Sequence, residues 1–212
     1  MERSSSERET SFSWRVRWLA ASRLYLVVPP RPDLAEVIEA AIAGGVDMVQ
    51  VRAKGMTDRE LLPHLQTARA VTRRFDIPYV VNDRVDLAGI VGADFVHLGQ
   101  DDLPIPLAKR FGLGTGLSTH AEAEVDAADS DYIGVGPVYA TPTKEGRPAV
   151  GLELVRYAAA NATVPWFAIG GIDETNVADV VAAGATRIAV VRAIADADDP
   201  ERAARALKSA LG

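Results

Sequence analysis

The chain has no cysteine, which rules out disulfides, thiolate nucleophiles and cysteine-ligated zinc. It also lacks any uninterrupted apolar run near the roughly 20 residues that a membrane helix needs. Its start, MERSSSERETSFSW, mixes acids with bases and has no apolar stretch of the kind that marks a secretory signal. Missing too is any basic excess: 23 Lys and Arg stand against 29 Asp and Glu, for a formal charge of -6. A general nucleic-acid binder needs a net basic face to release counterions from phosphates. These absences point to a cytoplasmic protein that engages neither membrane nor nucleic acid. Small anionic ligands stay open, because a site can be locally basic on an acidic protein. The residues leave the oligomeric state undecided, a homodimer included.

What is present suits one substantial domain. The chain has 212 residues, 48% hydrophobic and 25% charged, enough for a large buried core in a barrel of ordinary size. Residues 1–13 are polar and rich in Ser, Glu and Arg, so a flexible tail is expected there. The domain is expected over 14–212, opening with WRVRWLAAS, a short amphipathic helix with Trp14, Trp18 and Leu19 near one face, suited to plugging the bottom of the domain. Short β-branched runs then alternate with helical stretches. The expected strands are 24–28, 48–52, 79–83, 95–99, 114–118, 132–136, 166–170 and 187–191. Eight strands separated by helices is the arithmetic of an α/β fold closed into a parallel (β/α)8 TIM barrel, whereas an open doubly wound sheet more often stops at five or six. A quasi-repeat supports this reading: GGVDMVQV, VGADFVHL, AADSDYIGV and AAGATRIAV each run from a helix end through a small turn residue into a strand.

Catalytic groups in such barrels lie at the carboxyl ends of strands, and the unusual polar residues collect there. Gln50, Arg52 and Lys54 alternate outward from an apolar run, so period-2 geometry turns all three to one side. A solvated face gives the same pattern, but a strand entering a helix favours a ligand. Strand three runs into Asn82, Asp83 and Arg84, and strand four into Gln100, Asp101 and Asp102. Two carboxylates on adjacent strand ends are costly without a cation between them, and Mg2+ suits a pair of acids plus phosphate oxygens. Helix capping is the competing role; it is the expectation for Asp101, with Asp83 and Asp102 left as the metal pair. Ser118, Thr119 and His120 end strand five, where they either hydrogen-bond a reacting group or cap the next helix. The long loop GPVYATPTKEGR carries Thr141, Thr143 and Lys144, hydroxyls and an ammonium that suit an anion, although a surface role for Lys144 fits as well. A loop of this length is more often a functional lid than a passive connector. Gly170 and Gly171 after strand seven, with AVVRAI after strand eight, occupy the usual phosphate site of the fold. His97, inside strand four, is expected to pack within the barrel, and His64 to lie on the surface.

The set QVRAK, VNDRVDLA, VGADFVHLGQDD, STH, YIGVGPVYATPTK, AIGGI and AVVRAI, in this order, resembles the thiamin phosphate synthase family from about residue 23 onward. That family joins a hydroxymethylpyrimidine diphosphate to a hydroxyethylthiazole phosphate, giving thiamin phosphate and pyrophosphate. The resemblance implies that Gln50, Arg52, Lys54, Asn82 and Lys144 bind the pyrimidine diphosphate, and that Asp83 and Asp102 hold Mg2+. It implies that Ser118 lies near the reacting centre, and that Thr141, Thr143, Gly171 and the backbone at Val191 and Arg192 bind the thiazole phosphate. On this reading Arg52, Lys54, Ser118 and Lys144 are the catalytic groups of a carbocation-like transfer, and closure of the 139–147 loop keeps water from the cation. Arg192 departs from the small serine common at its position, and Pro29-Pro30 ends the first strand unlike many relatives. A thiazole tautomerase would use His120 and tends to lack the paired aspartates. A non-catalytic phosphate-binding barrel would be suggested by loss of Lys144, Asn82 or Asp83, and none is lost.

Overall fold

The structure, a computed structural model, describes residues 14–141 and 148–212. A helix over 14–21, here α1, leads into eight strands that close into a single parallel barrel in sequence order. These are β1 (Leu24–Val28), β2 (Met48–Val51), β3 (Tyr79–Asn82), β4 (Phe95–Leu98), β5 (Gly114–Thr119), β6 (Tyr132–Val135), β7 (Trp166–Ile169) and β8 (Ile188–Val190). All eight expected strands are present, and no end differs from expectation by more than one residue. Most differences fall where the chain leaves the ladder to enter a loop at the carboxyl end. Helices α2 (Leu34–Ala43), α3 (Asp58–Arg74), α4 (Val85–Val91), α5 (Ile105–Ala108), α6 (Glu122–Asp126), α7 (Gly151–Asn161), α8 (Val177–Ala182), α9 (Arg192–Ala195) and α10 (Pro200–Ala210) complete the order. The short α4 is the one that RVDLAGIVGA leaves room for, and it ends on Gly92, whose φ of 66° is the left-handed value that glycine takes without strain. Among the described residues no helix is long and apolar enough to cross a membrane. The expected tail, 1–13, lies outside the described residues.

Strand alternation sorts the core into two layers. Leu24, Leu26, Val28, Val49, Val51, Val81, Val96 and Leu98 point outward and pack under the helices. Tyr25, Val27, Met48, Val80, Phe95, Tyr132, Phe167 and Ala189 point inward and fill the barrel. Leu19 of α1 is buried in that inner cluster with Trp14 packed against it, so α1 plugs the barrel as expected.

One device recurs at the amino end. Asp47, Asp94 and Asp131 each precede an even-numbered strand and accept from the backbone at the start of the strand before it. Asp47 takes the N–H of Arg23 and Leu24 at 2.9 and 3.0 Å, Asp94 that of Tyr79 at 2.9 Å, and Asp131 that of Thr115 at 2.6 Å. A charged acceptor on an otherwise orphaned amide is among the stronger hydrogen bonds of a fold. The quasi-repeat in the sequence thus carries a structural carboxylate in three of its turns.

Interior space is set as much by missing side chains as by present ones. A Cβ built on Gly116 would stand 2.2 Å from Cζ of Tyr132 and 2.6 Å from Nδ1 of His97. Gly116→Ala is therefore expected to lower stability by about 1–3 kcal/mol through overpacking. Gly89, exposed on α4 with nothing within 4 Å of its built Cβ, should gain about 0.5–1 kcal/mol as alanine. Urea unfolding of both variants checks the pair; equal shifts would contradict the packing described.

Candidate active site

At the carboxyl ends of the strands two cavities meet. One, of about 310 Å³, runs from the inner tyrosines up to Gly170–Ile172 and Val191–Ala193. The other, of about 220 Å³, is lined by Lys54, Asp83, Gln100, Asp101 and Asp102. Arg52, Asn82, His97 and Ser118 line both. Arg52 directly follows β2, and Asn82, His97 and Ser118 lie on β3, β4 and β5, so four consecutive strand positions each contribute one inward residue near the carboxyl end.

Asp83 follows β3 with φ 59°, a left-handed conformation that costs a residue with a Cβ. Its N–H donates to the carbonyl of His97 at 2.8 Å, and the next N–H, of Arg84, donates back to Asn82 at 2.7 Å. This tight turn sends Asp83 into the cavity and Arg84 outward, where the guanidinium bridges Asp58 of α3 and Asp86 of α4. Asp102 is held by the N–H of Gly99, which donates to its Oδ2 at 2.6 Å. The Asp83 and Asp102 carboxyl groups come within hydrogen-bonding reach of each other. Burial, reinforced by the Asp102 charge, pushes the Asp83 carboxyl up to about 6, against the opposing pull of Arg52 and Lys54.

On the opposite side, Gly171 has φ 66°, and its built Cβ would stand 2.7 Å from Cβ of Tyr139. Only glycine lets the β6 and β7 loops touch here. The contact is stitched by the N–H of Val138 and Tyr139, which donate to Ile169 and Gly170 at 2.9 Å. Asn176 fixes the far side by donating to the Gly171 carbonyl at 2.9 Å. Arg192 and Ala193 open α9 against the same cavity. The first amides of a helix have no intrahelical partner, so this end offers donors to an anion.

The structure places Gln50, Arg52, Asn82, Ser118, Thr141, Gly171, Val191 and Arg192 on the first cavity and Arg52, Lys54, Asn82, Asp83, Asp102 and Ser118 on the second. Thr143 and Lys144, and most of the expected lid, lie outside the described residues. One expectation is corrected: Asp101 does not cap the helix after β4. That helix starts behind Pro104, which is the N-cap because its ψ of 138° lies outside the helical range, and no side chain caps it. Asp101 lines the second cavity instead. His97 packs in the barrel as expected, 8% exposed, yet it also reaches Ser118 at 2.9 Å. Tyr25, Tyr132 and Phe167 line the first cavity and went unnoticed in the sequence. Their signal was the inward register of their strands, which reads as ordinary core.

A closed parallel barrel whose strand ends set a carboxylate pair beside cations, with glycine-lined loops opposite, has the arrangement of a TIM-barrel enzyme. The chain matches the thiamine monophosphate synthase family over residues 24–194 and belongs to it. It is 53% identical over 199 residues to a thiamine-phosphate synthase of Thermus thermophilus, covering 89% of this chain and 97% of that one. A thiamine-phosphate synthase of Gloeobacter violaceus is 54% identical over 190 residues, 87% of this chain and 56% of the relative. Among solved structures, the thiamine phosphate pyrophosphorylase of Pyrococcus furiosus superposes with a TM-score of 0.80 at 32% identity, over 93% of this chain and 97% of the other. A 3-hexulose-6-phosphate synthase, at 19% identity and a TM-score of 0.67, shares the fold alone.

The raised Asp83 group has a signed consequence. Its folded value lies above the ordinary 3.8, so the folded state binds this proton more tightly than the unfolded chain does. The resulting stabilisation is complete below about pH 4 and is lost as pH rises through about 6. Asp83→Asn removes the titrating carboxyl, so in chelator the variant should melt higher than the wild type at neutral pH and vary less between pH 4.5 and 8. Parallel melting-temperature profiles for the two proteins would count against the carboxylate pair.

Proposed function

We propose that the protein condenses 4-amino-2-methyl-5-hydroxymethylpyrimidine diphosphate with hydroxyethylthiazole phosphate, releasing thiamin phosphate and pyrophosphate. The observation that carries this is the meeting of two unlike cavities at Arg52, Asn82, His97 and Ser118. A reaction that joins two phosphorylated partners needs two anion sites with a shared wall, and the family membership supplies the candidate pair.

The donor set fits Mg2+. Two carboxylates close enough to share a proton are poised for a hard dication that takes one or two acidic ligands and phosphate oxygens. Asp83 and Asp102 would hold the ion, which when bound supplies charge neutralisation to the diphosphate. Arg52 and Lys54 flank the same cavity and provide preorganised positive charge for the leaving pyrophosphate, with Lys144 assigned to the same task. The carbon–oxygen bond breaks with its electron pair leaving on pyrophosphate, and the pyrimidine stabilises the carbocation that remains. The thiazole nitrogen then donates its lone pair to that carbon, so no protein nucleophile is required. Asn82 and Gln50 orient the pyrimidine diphosphate, and Ser118, on the shared wall, contacts the reacting region. Thr141, Thr143, Gly171 and the backbone at Val191 and Arg192 take the thiazole phosphate.

Incubation with both substrates and Mg2+ should release pyrophosphate in step with thiamin phosphate; no product at saturating substrate rejects the proposal. Asp83→Ala, Asp102→Ala and Arg52→Ala should each lower kcat roughly 100-fold or more, the scale of removing a preorganised charge-stabilising group, while circular dichroism stays native. Wild-type turnover in either aspartate variant would dismiss the metal assignment.

A further inference from the structure

A chain of side chains crosses the barrel interior from β2 to β5. Nε2 of Gln50 donates to Oη of Tyr25. The Tyr25 and Tyr132 hydroxyls are 3.1 Å apart, Tyr132 Oη is 3.1 Å from Nδ1 of His97, and Nε2 of His97 is 2.9 Å from Oγ of Ser118. Gln50 and Tyr25 are each 2% exposed and Tyr132 fully buried. Burial holds both phenols far above their ordinary range, so each enters the chain neutral, with one hydrogen to give.

Starting from the Gln50 amide, one direction uses every hydroxyl hydrogen within the chain: Tyr25 accepts from Gln50 and gives its own hydrogen to Tyr132. Tyr132, having accepted, gives its hydrogen to Nδ1 of His97. A neutral imidazole whose Nδ1 accepts carries its proton on Nε2. Nε2–H therefore donates to Ser118 Oγ, and the hydroxyl hydrogen of Ser118 is left for the cavity.

We propose that Tyr25, Tyr132 and His97 are positioning residues: their one-way relay from Gln50 fixes His97 as the Nε2–H tautomer and makes Ser118 a hydrogen-bond donor to the bound substrate. Resting on the proposed function, the acceptor is a lone pair of the substrate's nitrogen heterocycle near the reacting carbon. A relay running the other way would leave Ser118 donating to His97 and offering the substrate only an acceptor. Gly116 is part of the device, since its built Cβ would stand 2.5 Å from the Tyr132 hydroxyl and 2.6 Å from Nδ1 of His97. The Gln100 amide steadies the far end by donating to the Ser118 carbonyl at 2.8 Å.

The test is nitrogen–proton correlation NMR of the substrate-free protein labelled with 15N-histidine. There are three histidines, and His97→Gln identifies the relevant signals by their loss. The wild type should show a protonated Nε2 and a bare Nδ1 at His97; the reverse pattern overturns the proposal, and this reading needs no variant and no turnover. Tyr132→Phe removes the donor to Nδ1, so the His97 signals should move toward a mixture of tautomers and kcat should fall about tenfold, the scale of one misdirected hydrogen bond, with little change in KM. An unchanged tautomer, or wild-type kcat, in a folded Tyr132→Phe protein would show that the relay does not position Ser118. Because the tautomer is read without substrate, its failure is distinct from failure of the synthase assay.

Discussion

The interior of an eight-stranded barrel has to be filled by the inward half of its strand residues, and most features of this molecule follow from how that is done. Tyr25, Phe95, Tyr132 and Phe167 meet edge-to-face with ring centroids 5.3 to 6.1 Å apart. Such contacts each add about 0.5–1.5 kcal/mol beyond the area they bury. Large rings low in the barrel require small neighbours, which is why β5 carries glycines at 114 and 116, each with an aromatic ring within 2.3 Å of its built Cβ. Two of the four rings are tyrosines, and a buried hydroxyl without a partner is costly. Filling the barrel with tyrosine therefore obliges a polar path, and the path ends at Ser118 in the site.

Electrostatic cost is distributed unevenly among the acids. Asp47, Asp94 and Asp131 are matched to strand amides, and Asp94 also to Arg69 at 2.9 Å, which offsets part of the burial that raises the Asp47 and Asp94 carboxyls above their ordinary range. Asp58 and Asp86 sit on the surface around Arg84, where solvent screens both pairs and they contribute little to stability. Asp83 is the exception: it has a left-handed backbone, partial burial and a second carboxyl group beside it. Conformational and charge strain thus fall on the same residue, at the carboxyl end of a strand. A fold tolerates this where a ligand offsets it, which is the physical basis for the dication proposed there.

The fold was legible almost completely, because period-2 strands and glycine-ended helices are local signals. The polar strand ends were legible too, since charged residues at the close of apolar runs stand out. Less visible was anything that depends on two distant strands facing each other. Tyr25 and Tyr132 lie 107 residues apart, and each looks in its own strand like a core aromatic. Nothing local says that their hydroxyls meet. His97 was read as packing for the same reason: its burial is a strand property, whereas its bond to Ser118 is a property of the closed barrel. Asp101 misleads because aspartate is a common N-cap, whereas the helix after β4 starts only at Ile105, behind Pro104. The separation of Asp101 from Asp102 turns on which of them reaches the Gly99 amide, and adjacent identical residues carry no sequence signal for that.

Register explains why the two cavities share the wall they do. Val51 pairs with Val81, so Arg52 and Asn82 follow as the next row, and Asn82 pairs with His97, which in turn pairs with Gly116. Arg52, Asn82 and His97 thus occupy one row, and the fourth place in that row is a glycine. With no side chain at 116, the imidazole can lean across the gap to Ser118, one inward position higher on β5. A larger residue there would close the gap and separate the row from the serine. The missing side chain therefore couples the interior packing to the site: it makes room for the Tyr132 ring below, and it lets a buried histidine hold a hydroxyl at the place where, in the proposed reaction, the two substrates meet.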